Sequence, residues 1–414
     1  MAKWFLSLEN FKSIRQLERL EGRPITLLLG PNNAGKTSVL QALLLLKGSL
    51  AYPEAVLSFR NDLVDLGSFR DTVTQGHEEE GISIELGEEE NNKAWSFFLR
   101  VDTLEGTLQI RGCDVVSEGS RFEYLRSPSS EETSAMYSDP REGVLKGRQV
   151  LEGLRWRSFI PYSAVSRRLR PSIREPQWFL NLLQYIGPLR VYPERSYRSQ
   201  PPPGLDVGID GRWAPHLLRG ATAEQLGNLR YWLGAEGFGL VTNLRARDVE
   251  GLPNFVVEVN VQGQWVNLRD VGFGMSQLLP IVVESILVPA KSWRGAPLLL
   301  LEQPEIHLHP KAQADLGAFI TEMSRKGRRY LIETHSEYLL MRLATEVRRG
   351  KLLPDDIAIY FLSLDEQGHT QFRYIPLEED GRLPPPDEWP EGFFDTDIKE
   401  ADAFLFASLE QAEV

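Results

Sequence analysis

Residues Gly30-Pro31-Asn32-Asn33-Ala34-Gly35-Lys36-Thr37 stand directly after the apolar run Ile25-Thr26-Leu27-Leu28-Leu29 and before Val39-Leu40-Gln41-Ala42-Leu43-Leu44. Strand, glycine-bounded turn and helix start follow one another, and the turn fills the G-x-x-x-x-G-K-[ST] pattern of a phosphate-binding loop. The residue types follow from the chemistry. Gly30 and Gly35 let the backbone wrap close to an anion, so that successive N–H groups point inward. The helix behind the loop adds its positive N-terminal end. Lys36 suits the β- and γ-phosphates, and the Thr37 hydroxyl suits Mg²⁺. The expected ligand is a nucleoside triphosphate with its metal.

The chain has 414 residues, enough to bury a large core and to form two or more lobes. Hydrophobic content of 42% and charged content of 25% are ordinary for a soluble globular protein. The single cysteine, Cys113, excludes an internal disulfide and points to a reducing compartment. The opening Met1-Ala2-Lys3-Trp4-Phe5-Leu6 lacks the apolar stretch of a signal peptide. The longest apolar stretch, Leu278 to Ala290, is broken by Pro280 and Glu284 and is too short to span a bilayer. The expectation is a soluble cytoplasmic protein with no membrane partner.

A net charge of −12 opposes non-specific nucleic-acid binding by the molecule as a whole. The charge is uneven. Arg141 to Arg174 carries Lys146, Arg148, Arg155, Arg157, Arg167, Arg168 and Arg170, with Trp156 and Tyr162 among them. That stretch reads either as a phosphate-contacting surface or, as we favour, as a solvated face paired with the acidic surplus.

Along the chain, Trp4 to Leu8 alternates like a strand, and 81–111 gives short alternating segments of an antiparallel β region. Residues 117–145 are rich in Ser and Glu with little periodicity and read as a loop. Gln177 to Ile186 reads as a short helix, 200–204 as a stiff Pro-rich connector, Ala223 to Leu233 as a helix, and Asn254 to Leu268 as two strands around Gln262-Gly263. The second half alternates strand Pro297–Leu301, helix Pro310–Arg325, strand Arg329–Ile332, helix Ser336–Arg349 and strand Ile357–Leu362. Fully apolar strands between helices predict a parallel sheet covered on both faces. Beyond Asp380 a Pro-rich stretch precedes a terminal helix over Asp397–Glu410.

Leu298-Leu299-Leu300-Leu301-Glu302 is a buried strand ending in a carboxylate, at the position that faces the metal in a nucleotide-binding sheet. It opens Glu302-Gln303-Pro304-Glu305-Ile306-His307-Leu308-His309-Pro310, and the next strand ends in Glu333-Thr334-His335-Ser336. Between phosphate loop and carboxylate strand lies the turn Asp270-Val271-Gly272-Phe273-Gly274-Met275-Ser276-Gln277 before the helix Leu278–Leu287.

With these motifs in this order the chain resembles the ABC-type ATPase heads of the OLD, RecF and SMC lineage, as does its opening Leu8-Glu9-Asn10-Phe11-Lys12-Ser13-Ile14. It is more closely similar to small AAA-family ATPases with a DUF3696 C-terminal segment, through Leu66–Asp71, Tyr185–Arg190 and Trp389–Asp395. The implied fold is α/β: an ABC-type head with a mixed sheet, an antiparallel β lobe and a mostly helical insertion. The implied division is 1–75 for the first part of the head, 76–215 for the β-rich and loop or helical insertion, 216–370 for the second part of the head, and 371–414 for the DUF3696-like segment.

The resemblance implies roles residue by residue. Gly30, Asn32, Asn33, Ala34, Gly35, Lys36, Thr37 and the adjoining Ser38 hold ATP and Mg²⁺. Glu302 takes the Walker B position, which orients the metal with Thr37, and His335 is similar to the switch histidine that senses the γ-phosphate. Gly274, Ser276 and Gln277 resemble the signature motif, which caps the ATP of an opposite subunit, so ATP joins two copies in a dimer or higher oligomer. Two departures matter. Gln303 stands where the lineage has a catalytic Glu, and it orients water but cannot accept its proton, with Glu305 as the alternative base. Gly274 stands where a serine usually meets the γ-phosphate. Hydrolysis on the order of one turnover per minute or less is expected without a partner.

Related ATPases often sit in antiphage defence systems beside nuclease or toxin effectors, so a sensor or scaffold of that kind is the leading expectation. The alternative is a RecF-like repair ATPase using Arg141–Arg174 on duplex DNA. Glu305, His307 and His309 superficially suggest zinc, but the resemblance assigns them to an inter-subunit loop. Asp395, Asp397 and Glu400 suggest a nuclease group but read as a solvated face. No TOPRIM domain pattern and no heptad rod is present.

Overall fold

The computed structural model describes residues 3–90, 93–117, 119–127, 132–139, 143–151, 154–163, 174–202, 204, 206–289, 296–385 and 389. The strand Ile25–Leu29 lies inside a six-stranded sheet, hydrogen-bonded on one side to Arg329–Glu333 and on the other to Ile357–Leu364. Beyond Arg329–Glu333 come Leu298–Glu302 and then Leu183–Ile186, all parallel. Thr370–Ile375 closes the other edge antiparallel to its neighbour.

Side chains of a strand alternate between faces, and here both faces are covered. Leu28, Leu298, Leu300 and Leu331 pack into one core, while Leu27, Leu29, Leu299, Leu301 and Ile332 pack into another. That is why these runs are apolar at every position rather than at every second one. The first core is shared with the helix Lys36–Ser49 and with a large antiparallel sheet. The second is shared with the helices Ala223–Leu233, Phe273–Leu287, Pro310–Arg325 and Glu337–Arg348.

The antiparallel sheet has eight strands in the order Ile14–Gly22, Lys3–Phe11, Ile82–Glu90, Lys93–Leu104, Thr107–Ser117, Ser120–Arg126, Thr133–Asp139 and Gly143–Lys146. One face supplies Trp4, Leu6, Leu8, Ile84, Phe97, Leu99 and Val115 to the first core. Residues 117–145, expected as a loop, instead add three strands to this sheet wherever they are described. Their apolar residues are sparse, but Phe122, Ala135 and Tyr137 are buried, and Phe122 and Tyr124 meet the Trp156 ring edge-on. A growing sheet edge supplies the backbone partners that weak local propensity does not. Cys113 is buried here as a free thiol.

The stretch expected as one helix over Gln177–Ile186 is also corrected. The helix is Arg174–Leu182, and Leu183–Ile186 leaves it to form the edge strand beside Leu298–Leu301. A smaller antiparallel sheet, Asn243–Asp248, Asn254–Val261 and Gln264–Asn267 with Tyr197–Arg198, covers the second core. No helix among the described residues is long and apolar enough to cross a membrane. Arg141, Arg167, Arg168 and Arg170 lie outside the described residues, as do Asp395, Asp397, Glu400 and the expected terminal helix.

Buried charge ties the helix Phe273–Leu287 to the sheet. Arg328 donates to the carbonyls of Glu284 (2.9 Å), Ser285 (3.2 Å) and Val288 and to Gln184 Oε1 (2.9 Å). The Glu284 carboxylate accepts from the Val207 amide at 2.8 Å, and its other oxygen is buried without a partner. Burial pushes the Glu284 carboxyl from 4.5 up to about 7, against the pull of the Val207 amide and Arg328. With the folded value raised, stability is fully present below the unfolded value and is lost as pH rises toward the folded one. We expect Glu284→Gln, which keeps an oxygen for Val207, to match wild type near pH 4 in urea unfolding. Toward pH 8 it should become more stable by on the order of 3 kcal/mol.

Candidate functional site

The polar residues of the mixed sheet collect at the C-terminal ends of its parallel strands, where open α/β sheets bind ligands. The turn after Ile25–Leu29 has the backbone of an anion cradle. Gly30 has φ 132°, Asn33 65° and Gly35 94°, positive values that turn the backbone sharply here. The helix Lys36–Ser49 then begins at Gly35 without a side-chain cap, which leaves its first amides available to an anion. Asn32 and Asn33 are exposed at the tip, whereas Ala34 and Ser38 are buried beneath it. Lys36 is buried too, its ammonium donating to the carbonyls of Gly30 (2.9 Å) and Pro31 (2.7 Å). Burial lowers the Lys36 pKa, partly offset by the carboxylates of Glu333 and Glu305.

Three glutamates come together beside this loop. The Thr37 hydroxyl donates to Glu333 Oε1 at 2.9 Å, and Glu333 Oε2 is buried without a partner. Glu333 faces Glu302 across the parallel ladder. Burial, then the neighbouring Glu302, pushes the Glu333 carboxyl to about 7, against the Thr37 hydrogen bond and Lys36. Glu302 Oε2 accepts from the Tyr185 hydroxyl at 2.7 Å. Glu305 is buried, and its carboxylate accepts from the His335 amide at 2.7 Å. Burial raises its pKa, opposed by that amide. The sequence left the position of this carboxylate open; it lies within the same cluster.

Gln303 follows Glu302 with a left-handed φ of 44°, and its amide donates to the Glu333 carbonyl at 2.8 Å. Such a conformation is uncommon for glutamine and holds the turn tightly against the next strand. His335 stands half-buried just past Glu333. Its pKa is lowered by burial and then by Lys36, and its Nε2 is buried without a partner. Arg190 closes the cluster from the segment after Leu183–Ile186, donating to the carbonyls of Glu302 (3.1 Å) and Gln303 (3.4 Å). Burial draws its pKa down to about 10.

The structure therefore gathers Lys36, Thr37, Glu302, Gln303, Glu305 and His335. The turn Gly272–Gln277 packs against the segment that follows Glu305: a Cβ on Gly274 would sit 3.5 Å from the His307 carbonyl, and the exposed Phe273 ring meets His307 edge-on at 4.6 Å. Ser276 and Gln277 are buried, the Ser276 hydroxyl bonding the Phe273 carbonyl at 2.6 Å. The surface end of this helix is thus Gly272, Phe273 and Gly274, and Gly272 brings no side-chain cap. His309 caps the next helix by accepting from the Lys311 amide at 3.4 Å. Glu333, Tyr185 and Arg190 are site residues that sequence reasoning did not assign. Their only signal was position: Glu333 ends an apolar strand, and the other two lie in the stretch Tyr185–Arg190.

The loop gives a direct test of its geometry. A Cβ on Gly30 would fall 2.1 Å from the Leu362 carbonyl oxygen, at a φ that L-residues avoid. Gly30→Ala should lose at least about 2 kcal/mol in thermal or urea unfolding. Asn33→Gly, at a left-handed position that glycine adopts freely, should stay within about 0.5 kcal/mol of wild type.

The profile described as "AAA domain, putative AbiEii toxin, Type IV TA system" matches residues 25–342, and DUF3696, a family of unknown function, matches residues 352–403. No curated protein matches. Similar solved structures include the SMC head domain from Thermotoga maritima, with 12% identity, 91% of this chain and 100% of that chain covered, and a TM-score of 0.40. Another is the Smc head bound to the C-winged helix domain of ScpA, with 13% identity, 91% and 98% covered, and a TM-score of 0.44. A third is the Smc head domain with an extended coiled coil bound to a ScpA domain from Pyrococcus furiosus, with 11% identity, 92% and 98% covered, and a TM-score of 0.40. The first profile takes in the phosphate loop, the carboxylate strands and His335, so the chain belongs to the AAA family of AbiEii type, followed by a DUF3696 segment.

Proposed function

We propose that this chain is an ATP-binding, slowly hydrolysing ATPase of ABC type. On this reading it dimerises on ATP and serves in the cytoplasm as sensor or scaffold for a separate effector, a nuclease or toxin, in antiphage defence. The observation that carries the reading is the uncapped helix start at Gly35 and Lys36, facing the buried Glu333 at the end of the adjacent strand. The donor set fits Mg²⁺: the Thr37 hydroxyl and Glu333, whose second oxygen is buried without a partner. Mg²⁺, when bound, offsets the charge of the β- and γ-phosphates as it develops in the transition state. Lys36 neutralises phosphate oxygens once its hold on the Gly30 and Pro31 carbonyls is exchanged for them. Gln303 orients water without taking its proton, which supports slow turnover.

Dimerisation is supported by the surface end of the helix at Gly272–Gly274, an uncapped helix start that meets solvent beside the exposed Phe273. Helix amides of this kind are suited to phosphate oxygens presented by a second copy. The buried Ser276 and Gln277 then act by holding that turn rather than by touching the nucleotide. The AbiEii-type family supports a defence setting.

Mass by light scattering and phosphate release, each with and without Mg-ATP, test the proposal on wild type, Lys36→Ala, Gln303→Glu and Glu305→Ala. We expect the wild-type mass to double with ATP, Lys36→Ala to stay monomeric, and Gln303→Glu to hydrolyse at least about tenfold faster than wild type. A protein that stays monomeric at saturating ATP sinks the dimer. Brisk wild-type turnover abolished by Glu305→Ala makes Glu305 the base and removes the slow switch. Hydrolysis stimulated by duplex DNA and falling steeply with salt would favour the RecF-like reading instead.

A further inference from the structure

Given the nucleotide site proposed above, we infer that Glu333, and not Glu302, is the carboxylate that orients the Thr37 hydroxyl and steadies the nucleotide-bound Mg²⁺, while Glu302 is committed to Tyr185. Position comes first. Arg329–Glu333 lies between the phosphate-loop strand and Leu298–Glu302, so Glu333 pairs along the ladder with Leu28 on one side and Glu302 on the other. Parallel strands are about 4.8 Å apart, which places the Glu302 backbone a further strand spacing from the loop.

The hydrogen bonds agree. Thr37 Oγ1 donates to Glu333 Oε1 at 2.9 Å, leaving Glu333 Oε2 buried with no partner. A buried carboxylate oxygen left bare is costly unless a cation or donor meets it. Glu302 is held differently: the Tyr185 hydroxyl donates to its Oε2 at 2.7 Å, and Arg190 donates to its carbonyl at 3.1 Å. Tyr185 reaches it because Leu183–Ile186 is the edge strand, with Tyr185 opposite Leu300. The side chain and the main chain of Glu302 are thus both gripped from the far side of the sheet.

Charge balance points the same way. Glu333 lies one strand nearer than Glu302 to the loop that carries Lys36. The Lys36 ammonium accordingly feels Glu333 ahead of Glu305. Glu333 acts here as a positioning residue, through Thr37 and the metal.

The test uses the full chain loaded with a non-hydrolysable ATP analogue and titrated with Mn²⁺, followed by electron paramagnetic resonance. Glu333→Gln is expected to weaken Mn²⁺ binding by about 10- to 100-fold, the range found when groups that orient a metal site are removed. Glu302→Gln should change it by less than about threefold. Binding of the analogue without metal should stay within about threefold of wild type in both variants, which also reports that each is folded. Tyr185→Phe, which frees Glu302 and leaves Glu333 in place, should not alter the Mn²⁺ affinity. A large loss confined to Glu302→Gln, an equal loss in both glutamine variants, or a tenfold or greater change in Tyr185→Phe overturns the assignment. Wild type that binds no analogue brings down the nucleotide reading itself, and the two failures are thereby told apart.

Discussion

The five residues Ile25–Leu29 carry the constraint on which the rest depends. They are hydrogen-bonded to a parallel strand on each side and buried on both faces, so no polar side chain beyond Thr26 is accommodated until the strand ends. Thr26 is tolerated because its hydroxyl turns back to bond the Arg23 carbonyl at 3.2 Å. Chemistry is thereby displaced to one rim, where the chain must turn sharply and does so with Gly30 under the Leu362 carbonyl. The same logic acts on Leu298–Glu302 and Arg329–Glu333, whose first charged residues after their apolar runs emerge side by side on that rim.

A rim built this way gathers like charges, and its electrostatics follow. Glu302, Glu305 and Glu333 approach one another in a poorly hydrated space, offset by Lys36 and Arg190, and every titrating member with a resolved shift moves toward its neutral form. Such an assembly is held in place by packing rather than stabilised by its charges. The eight-stranded sheet and the helix Lys36–Ser49 provide that packing on one face, and the helices of the second half provide it on the other. A polyanion that brings its own cation fits this arrangement, because it takes up the amides and the ammonium while the metal meets the carboxylates.

Much of the fold was legible because its signals are local. Apolar runs of strand length, Pro310 at the start of a helix and His335-Ser336 ahead of another all specify conformation within a few residues, and the helices Pro310–Arg325 and Ala223–Leu233 lie where expected. Two of the misses are places where a distant partner decides, and the third is one where the helix start does. Residues 120–126 and 133–139 have weak strand patterns but complete a sheet whose edge was already present. Leu183–Ile186 continues a helical pattern in the sequence, yet Leu298–Leu301 offers it a ladder and a buried face. Ser276 reads as a ligand-facing serine, but the helix begins at Phe273 and turns that hydroxyl back onto its own first turn.

By itself the sequence determined the phosphate loop, its strand and its helix, because glycine conformations, helix polarity and strand burial are written within about fifteen consecutive residues. It also determined which residues were candidates for the site, since an apolar strand ending in a carboxylate is visible in one dimension. Only the tertiary structure decided which carboxylate meets Thr37. Strand order and register are set by packing between segments 296 residues apart, and they put Glu333 at 2.9 Å from that hydroxyl and Glu302 beneath Tyr185. Side chains on neighbouring strands acquire their partners from that register, which no local stretch of the chain specifies.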